Sequence, residues 1–198
     1  MFNLEQNKSK FKKEICDKIR LYLGYAPGKT TALNGVALRA LGAGLKVKII
    51  LFSKYAENTS ESKIYEILKS QFKDNFDYFF AGTSRIRADG SFRYFGDEDG
   101  WTKEDEEKLN QGIEVLEKDI SSGEYDLLYI DELTDLLFHK EKRIEEEKAK
   151  DIFKTIHPKT SVIITGHKCP EWLVSKASTV IEGKVLKHYQ GYTKGIEW

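Results

Sequence analysis

The residues with the clearest chemical potential lie in a glycine-containing segment near the start of the sequence. The segment is Gly24-Tyr25-Ala26-Pro27-Gly28-Lys29-Thr30-Thr31. It follows a short apolar run and precedes a stretch rich in alanine and leucine, which is the strand–loop–helix context that a phosphate-binding loop requires. Glycines let successive backbone N–H groups point at one anion, and a helix N-terminus adds partial positive charge. We therefore predict that all eight residues contact a phosphate group.

Lys29 and Thr30 have separate predicted roles in this loop. The Lys29 ammonium can reach two phosphates at once, and the Thr30 hydroxyl is placed to ligate Mg²⁺. Three residues separate Gly24 from Gly28, one fewer than in the usual pattern, and Pro27 removes one backbone donor. An ordinary glycine turn before a capped helix is the alternative explanation.

A second candidate site is the acidic pair Asp131-Glu132, which ends the apolar run at 127–130. Ligands of open α/β sheets bind at the carboxyl ends of strands, so we expect Asp131 to lie beside Thr30. A carboxylate there would hold Mg²⁺ directly or through water. An apolar run that ends in two acids usually means only a helix cap after a strand. With the glycine loop present we predict a metal role for Asp131 or Glu132, and the choice between them stays open.

Short apolar runs alternate with amphipathic stretches, which is typical of a mostly parallel sheet flanked by helices. We predict strands at 21–23, 47–52, 77–80, 126–131 and 161–165, a closing pair at 179–181 and 185–188, and helices at 29–41, 60–72, from about 102, and 143–156. Residues 82–101 carry four glycines and three arginines without periodicity. A loop of that length is usually functional or mobile. The fold class is therefore α/β.

Composition and charge limit the classes of protein to which the chain could belong. The 198 residues are 40% hydrophobic and 32% charged, as expected of a globular chain, and we divide them into an amphipathic segment at 1–18 and one domain at 19–198. The 32 basic residues balance the 32 acidic ones, which argues against a general nucleic-acid or membrane-surface binder. No apolar run reaches the roughly 18 residues of a membrane span. Two cysteines, Cys16 and Cys169, are too few for a disulfide framework, so we expect a cytoplasmic protein.

Several blocks in order resemble the P-loop type of ATP:corrinoid (cob(I)alamin) adenosyltransferase. They are the shortened loop, which that family also uses, and then ALNGVALRALGAGLKVKIILFSK, LLYIDELTDLL, VIITGHKCPEWLVSKASTVIEG and VLKHYQGYTKGIEW. The resemblance spans about residues 20–55 and 109–198. It implies a single P-loop NTPase-like (RecA-like) domain. One departure is Pro27, which stands where the family usually has a basic residue.

By that resemblance, the chain transfers the 5′-deoxyadenosyl group of ATP to cobalt(I) of a corrinoid and releases triphosphate. Lys29, Thr30 and Glu132 would act on the triphosphate with Mg²⁺, and Arg39 matches a family arginine close to it. Surface pairing on a helix is the alternative for Arg39. The resemblance also implies a homodimer and a reductant protein such as a flavodoxin.

The family places an aromatic pair against the lower face of the corrin, and the corresponding stretch at 95–102 lacks the intact motif. Trp101 is the first candidate for this role and Phe95 the second, followed by Phe92 and Tyr94. A simple plug over the core is an equal alternative for such an aromatic residue. We interpret His167 as ordinary turn chemistry.

Two other functions stay open from the sequence. One is a P-loop kinase or ATPase that produces ADP, and the other is a non-catalytic module that binds a nucleotide or a corrinoid.

Overall fold

The computed structural model describes residues 19–94, 97–138 and 143–187, and a parallel β-sheet runs through them. Its strands are β1 (Ile19–Leu23), β2 (Val47–Phe52), β3 (Phe76–Ala81), β4 (Leu127–Asp131), β5 (Ser161–Thr165) and β6 (Thr179–Glu182). Its helices are α1 (Lys29–Gly42), α2 (Ser62–Phe72), α3 (Lys103–Ser122), α4 (Leu133–Phe138), α5 (Glu146–Lys154) and α6 (Glu171–Lys176). Two short 3₁₀ turns cover Ala56–Asn58 and Lys73–Asn75.

The strand order places the two candidate motifs at one edge of the sheet. The order is β3-β2-β4-β5-β1-β6, and each described pair of neighbouring strands is parallel. Parallel strands have their carboxyl ends on the same side, so the loop after β1 and the acids after β4 meet there, with β5 between them. The predicted α/β, P-loop NTPase-like fold with a parallel sheet is confirmed.

Both faces of the sheet are covered, which explains why its central strands are continuous apolar runs. All residues of β2, β4 and β5 are buried. On one face Leu33 and Leu41 of α1 pack with Tyr65 of α2. On the other face Leu116 and Ile120 of α3 pack with the opposite side chains of the sheet. Apolar burial on two faces is what a parallel sheet requires.

The long helix α3 begins where the sequence predicts. Thr102 is its N-cap, and its hydroxyl accepts a hydrogen bond from the Asp105 N–H at 3.2 Å. The Asp105 carboxylate in turn accepts one from the Thr102 N–H at 2.9 Å. This reciprocal capping box satisfies two N–H groups that a helix start leaves without partners. Leu109, Ile113, Leu116 and Ile120 recur at spacings of four, three and four, which predicts one apolar helix face, and all four are buried.

The predicted helix at 143–156 was wrong in extent. Residues 143–156 were predicted as one helix, but α5 begins only at Glu146 and the short helix α4 was not foreseen. The Arg143 and Ile144 N–H groups donate to the Leu136 carbonyl of α4, and the helix starts only after Glu145, its N-cap, whose backbone is extended.

The second closing strand was also wrong, because residues 185–187 are irregular. β6 pairs in parallel with β1, so the chain after Glu182 leaves the sheet instead of turning back along it. The predicted segment at 1–18 and His188 lie outside the described residues. Within the described ranges no helix combines the length and the apolar character needed to cross a membrane.

Candidate active site

The loop between β1 and α1 is held in shape by two glycines with positive φ angles. Gly24 has φ of 103° and Gly28, the N-cap of α1, has φ of 94°. A Cβ on Gly24 would also lie 2.8 Å from the Gly183 carbonyl oxygen, so glycine is required there for space as well. The Gly24 N–H donates to the His167 carbonyl at 3.1 Å, which ties the loop to the end of β5. The predicted strand–loop–helix context is thus present.

The Lys29 ammonium lies across this loop. Its Nζ donates to the carbonyl oxygens of Gly24 at 2.7 Å and Ala26 at 3.1 Å. Burial lowers the pKa of Lys29, and the negative charges of Asp135, Glu132 and Asp131 oppose that shift. A phosphate in the loop would offer the ammonium anionic oxygens in place of two neutral carbonyls, and charge-assisted bonds of that kind are the stronger ones.

Asp131 is fully buried at the end of β4, and its carboxylate accepts hydrogen bonds from side chains of β4, β5 and α1. Its Oδ1 accepts hydrogen bonds from the Tyr129 hydroxyl and the Thr165 hydroxyl, each at 2.6 Å. The Thr30 hydroxyl donates to the same carboxylate at 3.2 Å. The structure therefore brings Thr30 and Asp131 together, as the sequence predicts.

Lys54 completes this cluster, and sequence reasoning gave it no role. Its Nζ lies 2.5 Å from Asp131 Oδ2 and donates to Thr30 Oγ1 at 2.9 Å. Burial alone would lower the pKa of Lys54, but the charges of Asp131 and Glu132 outweigh it and raise that pKa. The signal in the sequence was the position of Lys54, two residues beyond a mostly apolar strand, because such a strand ends at the ligand edge of the sheet.

Glu132 differs from Asp131 in that it faces the open space beside the loop. Its backbone has φ of 58°, and its N–H donates to the Thr165 hydroxyl at 2.8 Å. Burial and the adjacent Asp131 carboxylate raise the pKa of Glu132 to about 7. A non-glycine residue held in the left-handed region at a strand end is a recurrent feature of ligand sites.

A cleft of about 900 Å³ opens in front of these residues. Its polar lining includes Lys29, Thr30, Lys54 and Glu132. Its apolar lining includes side chains that are 41–51% exposed, namely Leu38, Ile64, Ile86 and Phe92. A cleft lined by both ammonium groups and exposed apolar side chains suits a ligand that combines an anionic group with a large apolar body.

The described residues include no group of three His, Cys, Asp or Glu side chains that could hold a metal ion by themselves. The Thr30 hydroxyl and the acidic pair are oxygen donors that a cation could share with a bound ligand. Mg²⁺ is usually held in this way, through one or two carboxylates and the phosphates of a substrate.

The other predicted site residues occupy different places. Pro27, Gly28 and Thr31 line the cleft with Lys29 and Thr30. Tyr25 is 71% exposed, and its ring packs against His167 with centroids 4.8 Å apart. Arg39 is exposed in the last turn of α1 and is not among the described residues that line the cleft. Its role at the triphosphate stays a prediction.

Trp101 packs against the core and is not among the cleft-lining residues that the structure describes; it lines a small cavity whose residues Thr83 and Arg85 also line the cleft. The Arg143 guanidinium lies 4.4 Å from its ring centroid and that of Arg85 lies 6.0 Å away. This position fits the alternative in which the aromatic side chain covers the core. Phe95 lies outside the described residues. Among the three candidates that the structure describes, namely Trp101, Phe92 and Tyr94, Phe92 lines the cleft.

Phe92 reaches the cleft because the long loop is fastened to α3. A bridge pairs Ile86 with Phe92, and the next residue, Arg93, is buried. The Arg93 guanidinium donates to Asp105 Oδ2 at 2.5 Å, and the Thr83 hydroxyl donates to the same carboxylate. The loop predicted as functional or mobile is thus anchored by a buried ion pair, and its apolar side faces the ligand space.

His167, which we had interpreted as turn chemistry, lines the cleft as well. Its Nδ1 lies 2.9 Å from Asp135 Oδ2, and its N–H donates to Asp135 Oδ1 at 2.8 Å. The two contacts fix the chain after β5 beside the phosphate loop. The sequence signal for His167 at the cleft was its position two residues after the end of a buried strand.

Comparison with known proteins shows sequence similarity over almost all of the chain. A family model described as ATP:corrinoid adenosyltransferase BtuR/CobO/CobP matches residues 17–198. The corrinoid adenosyltransferase of Escherichia coli (strain K12) is 26% identical over 170 residues, which are 86% of this chain and 78% of that protein. The corrinoid adenosyltransferase of Pseudomonas aeruginosa (strain PAO1) is 24% identical over 172 residues, with 85% and 75% covered.

Among solved structures, the genome packaging NTPase B204 from Sulfolobus turreted icosahedral virus 2, in complex with AMP, superposes with a TM-score of 0.49. It is 15% identical, and the superposition covers 87% of this chain and 77% of that chain.

Proposed function

The chain belongs to the ATP:corrinoid adenosyltransferase family, and on that premise we propose that it transfers the 5′-deoxyadenosyl group of ATP to cobalt(I) of a corrinoid such as cobalamin. The cobalt(I) electron pair attacks the ribose C5′ and forms a cobalt–carbon bond. The bond between C5′ and the phosphate oxygen breaks, and its electron pair leaves with triphosphate. The product is an adenosylated corrinoid.

One observation carries this proposal: the cationic phosphate loop and an apolar wall face the same cleft. Lys29 and the N-terminus of α1 would bind the triphosphate end, where negative charge increases as the bond to C5′ breaks. Leu38, Ile64, Ile86 and Phe92 would contact the macrocycle and keep water from the reacting carbon.

Cobalt(I) is itself the nucleophile, so the protein needs no general base to activate one. The chain's task is to hold C5′ and the corrin in contact and to stabilise the leaving group. The hydrogen bonds that fix Thr30 and Glu132 around Thr165 and Asp131 favour such a fixed geometry. This supports a positioning role for the cluster.

Mg²⁺ fits the donor set of this cluster, because a hydroxyl and carboxylates are the hard oxygen ligands that it prefers. Thr30 with Asp131 or Glu132 would hold it, and of these two acids Glu132 is the one that lines the cleft. When bound, the ion would neutralise part of the triphosphate charge. We further propose, from the resemblance, a cytoplasmic homodimer that receives electrons from a reductant protein such as a flavodoxin.

Incubation with ATP, Mg²⁺ and chemically reduced cobalamin tests the reaction. We expect a light-sensitive cobalt–carbon product and one triphosphate per product. ADP without an alkylated corrinoid would instead support a P-loop kinase or ATPase, and binding without either product would support a non-catalytic module. Omission of the reductant is the control, because cobalt then lacks the electron pair that attacks C5′.

A further inference from the structure

Lys54 holds the position on the Thr30–Asp131 pair that a cation would otherwise take. Its ammonium contacts both members of the pair, at 2.5 Å from Asp131 Oδ2 and 2.9 Å from Thr30 Oγ1. The other carboxylate oxygen, Oδ1, already accepts hydrogen bonds from Tyr129 and Thr165. The Thr30 hydroxyl lies 3.2 Å from Oδ1 and 3.3 Å from Oδ2. The Lys54 ammonium therefore takes the oxygen that Tyr129 and Thr165 leave free.

A divalent cation and this ammonium compete for the same oxygens. Mg²⁺ binds its oxygen ligands at about 2.0–2.1 Å, so an ion on Asp131 Oδ2 would meet an ammonium already 2.5 Å from that atom. Two like charges so close in a half-buried site repel strongly, because little water screens them. The ammonium must move before the ion can bind.

The Lys54 side chain has space to move within the cleft. Its side chain is 21% exposed, and it lines the same cleft as Lys29 and the phosphate loop. A polyphosphate in that cleft would offer anionic oxygens to the ammonium, and such charge-assisted contacts could replace the one to Asp131. In the absence of an anion, the carboxylate is the strongest partner within reach.

We infer that Lys54 is an internal counter-ion of Asp131, which excludes a free divalent cation until a polyphosphate draws the ammonium away. The inference rests on the proposed function, in that Thr30 and the acidic pair are taken as the metal ligands. It goes further in assigning an order: the metal enters with the polyphosphate and not before it. Lys54 thereby acts as a positioning residue for both the metal ion and the polyphosphate.

Mn²⁺ binding, measured in place of Mg²⁺ binding, tests the inference without catalysis. The bound fraction is measured as the loss of the electron paramagnetic resonance signal of free Mn²⁺. The unchanged chain, Lys54→Met and Lys54→Arg are titrated with Mn²⁺ alone by this signal. Inorganic triphosphate itself binds Mn²⁺ and removes the free-ion signal, so in its presence the Mn²⁺ retained by each protein is measured by equilibrium dialysis. We expect Lys54→Met to bind Mn²⁺ alone about tenfold or more tightly than the unchanged chain. Lys54→Arg keeps the charge and should behave like the unchanged chain.

If Lys54→Met binds Mn²⁺ alone no more tightly than the unchanged chain does, the inference is overturned. The thermal unfolding midpoint of each variant shows that it is folded, and Lys54→Gln, which is also neutral, replaces Lys54→Met if that variant fails to fold. Triphosphate should raise the Mn²⁺ affinity of the unchanged chain and should have a smaller effect in Lys54→Met.

Asp131→Asn separates this inference from the proposed metal site. If the substitution leaves Mn²⁺ binding in the presence of triphosphate unchanged, Asp131 is not a ligand and the inference about Lys54 is overturned, whereas a metal site on Thr30 and Glu132 stands. If it weakens that binding while Lys54→Met gains no affinity for Mn²⁺ alone, the site stands and the role of Lys54 as an internal counter-ion fails.

Discussion

Thr30 and Asp131 are 101 positions apart in the chain, yet the Thr30 hydroxyl donates to Asp131 Oδ1 at 3.2 Å. Thr30 belongs to the first turn of α1, which follows β1, and Asp131 ends β4. β5 lies between these two strands and contributes Thr165, whose hydroxyl donates to the same oxygen. The contact exists because three parallel strands end at one edge of the sheet.

Removal of the Lys29 ammonium should abolish most of the adenosyl transfer. We expect Lys29→Ala to lower kcat by about 10²–10³-fold, the usual cost of losing one group that stabilises developing negative charge. Lys159→Ala is the matched control, since Lys159 is exposed just before β5, at the opposite edge of the sheet. Steady-state assays of triphosphate release on both variants give the comparison, and full activity in Lys29→Ala would remove the phosphate-loop assignment.

The Arg93–Asp105 pair should be a major determinant of stability. Both side chains are buried, so Arg93→Met leaves an unpaired carboxylate and should lower the free energy of unfolding by about 3–5 kcal/mol. Arg87→Met is the control, because Arg87 pairs with Asp97 and Asp99 near the surface and its loss should matter much less. Urea unfolding of the two variants measures the difference, and similar losses would contradict the prediction.

The same cluster should make stability depend on pH. Burial opposes ionisation of Asp105, but hydrogen bonds from Arg93, Thr83 and Thr102 outweigh it and hold its pKa well below the ordinary value of 3.8. A depressed folded-state pKa contributes stability that is fully present above the unfolded-state pKa and is lost as the pH falls through the folded-state value. The free energy of unfolding should therefore drop as the pH falls below about 4.

Urea unfolding between neutral pH and pH 3 checks this pH dependence. Asp105→Asn, which has no carboxylate to protonate, should be less stable at neutral pH and should show a shallower decline on acidification. An equally steep decline in that variant would assign the acid sensitivity to other groups.

Gly24 should tolerate no side chain. Gly24→Ala would place a Cβ 2.8 Å from the Gly183 carbonyl oxygen at a residue with φ of 103°, so we expect a loss of about 1–3 kcal/mol in the free energy of unfolding. Triphosphate affinity should fall with it, because the loop must shift. Gly42→Ala has open space at the end of α1 and should leave both quantities nearly unchanged. Thermal unfolding and calorimetric titration with triphosphate distinguish the two variants.

Phe92 and Trp101 should differ in what their loss affects. Phe92→Ala removes part of the cleft wall and should raise the KM for the corrinoid about two- to tenfold with little change in the KM for ATP. Trp101→Ala should chiefly lower the thermal unfolding midpoint, because its ring packs on the core. A Trp101→Ala protein of unchanged stability that converts base-on corrinoid poorly, and base-off corrinoid well, would restore Trp101 to the corrin face.

Local signals in the sequence determined the elements and the two motifs. The glycine loop, the Thr102–Asp105 capping box and the inner face of α3 each depend on residues a few positions apart, whose backbone preferences and periodicity act within one element. The short helix α4 was missed, since six residues are too few for a clear periodicity, and the late start of α5 follows the extended backbone of its N-cap Glu145.

Tertiary structure decided which side chains share the cleft. Lys54 reaches Asp131 because β2 lies beside β4, and Phe92 rather than Trp101 lines the cleft because the Arg93–Asp105 pair fastens the loop to α3. Many strand orders are compatible with the same alternation of apolar runs, so the sequence pattern alone leaves these neighbours undetermined. The order of the strands is set by burial of both sheet faces over the whole domain, a property that no single segment contains.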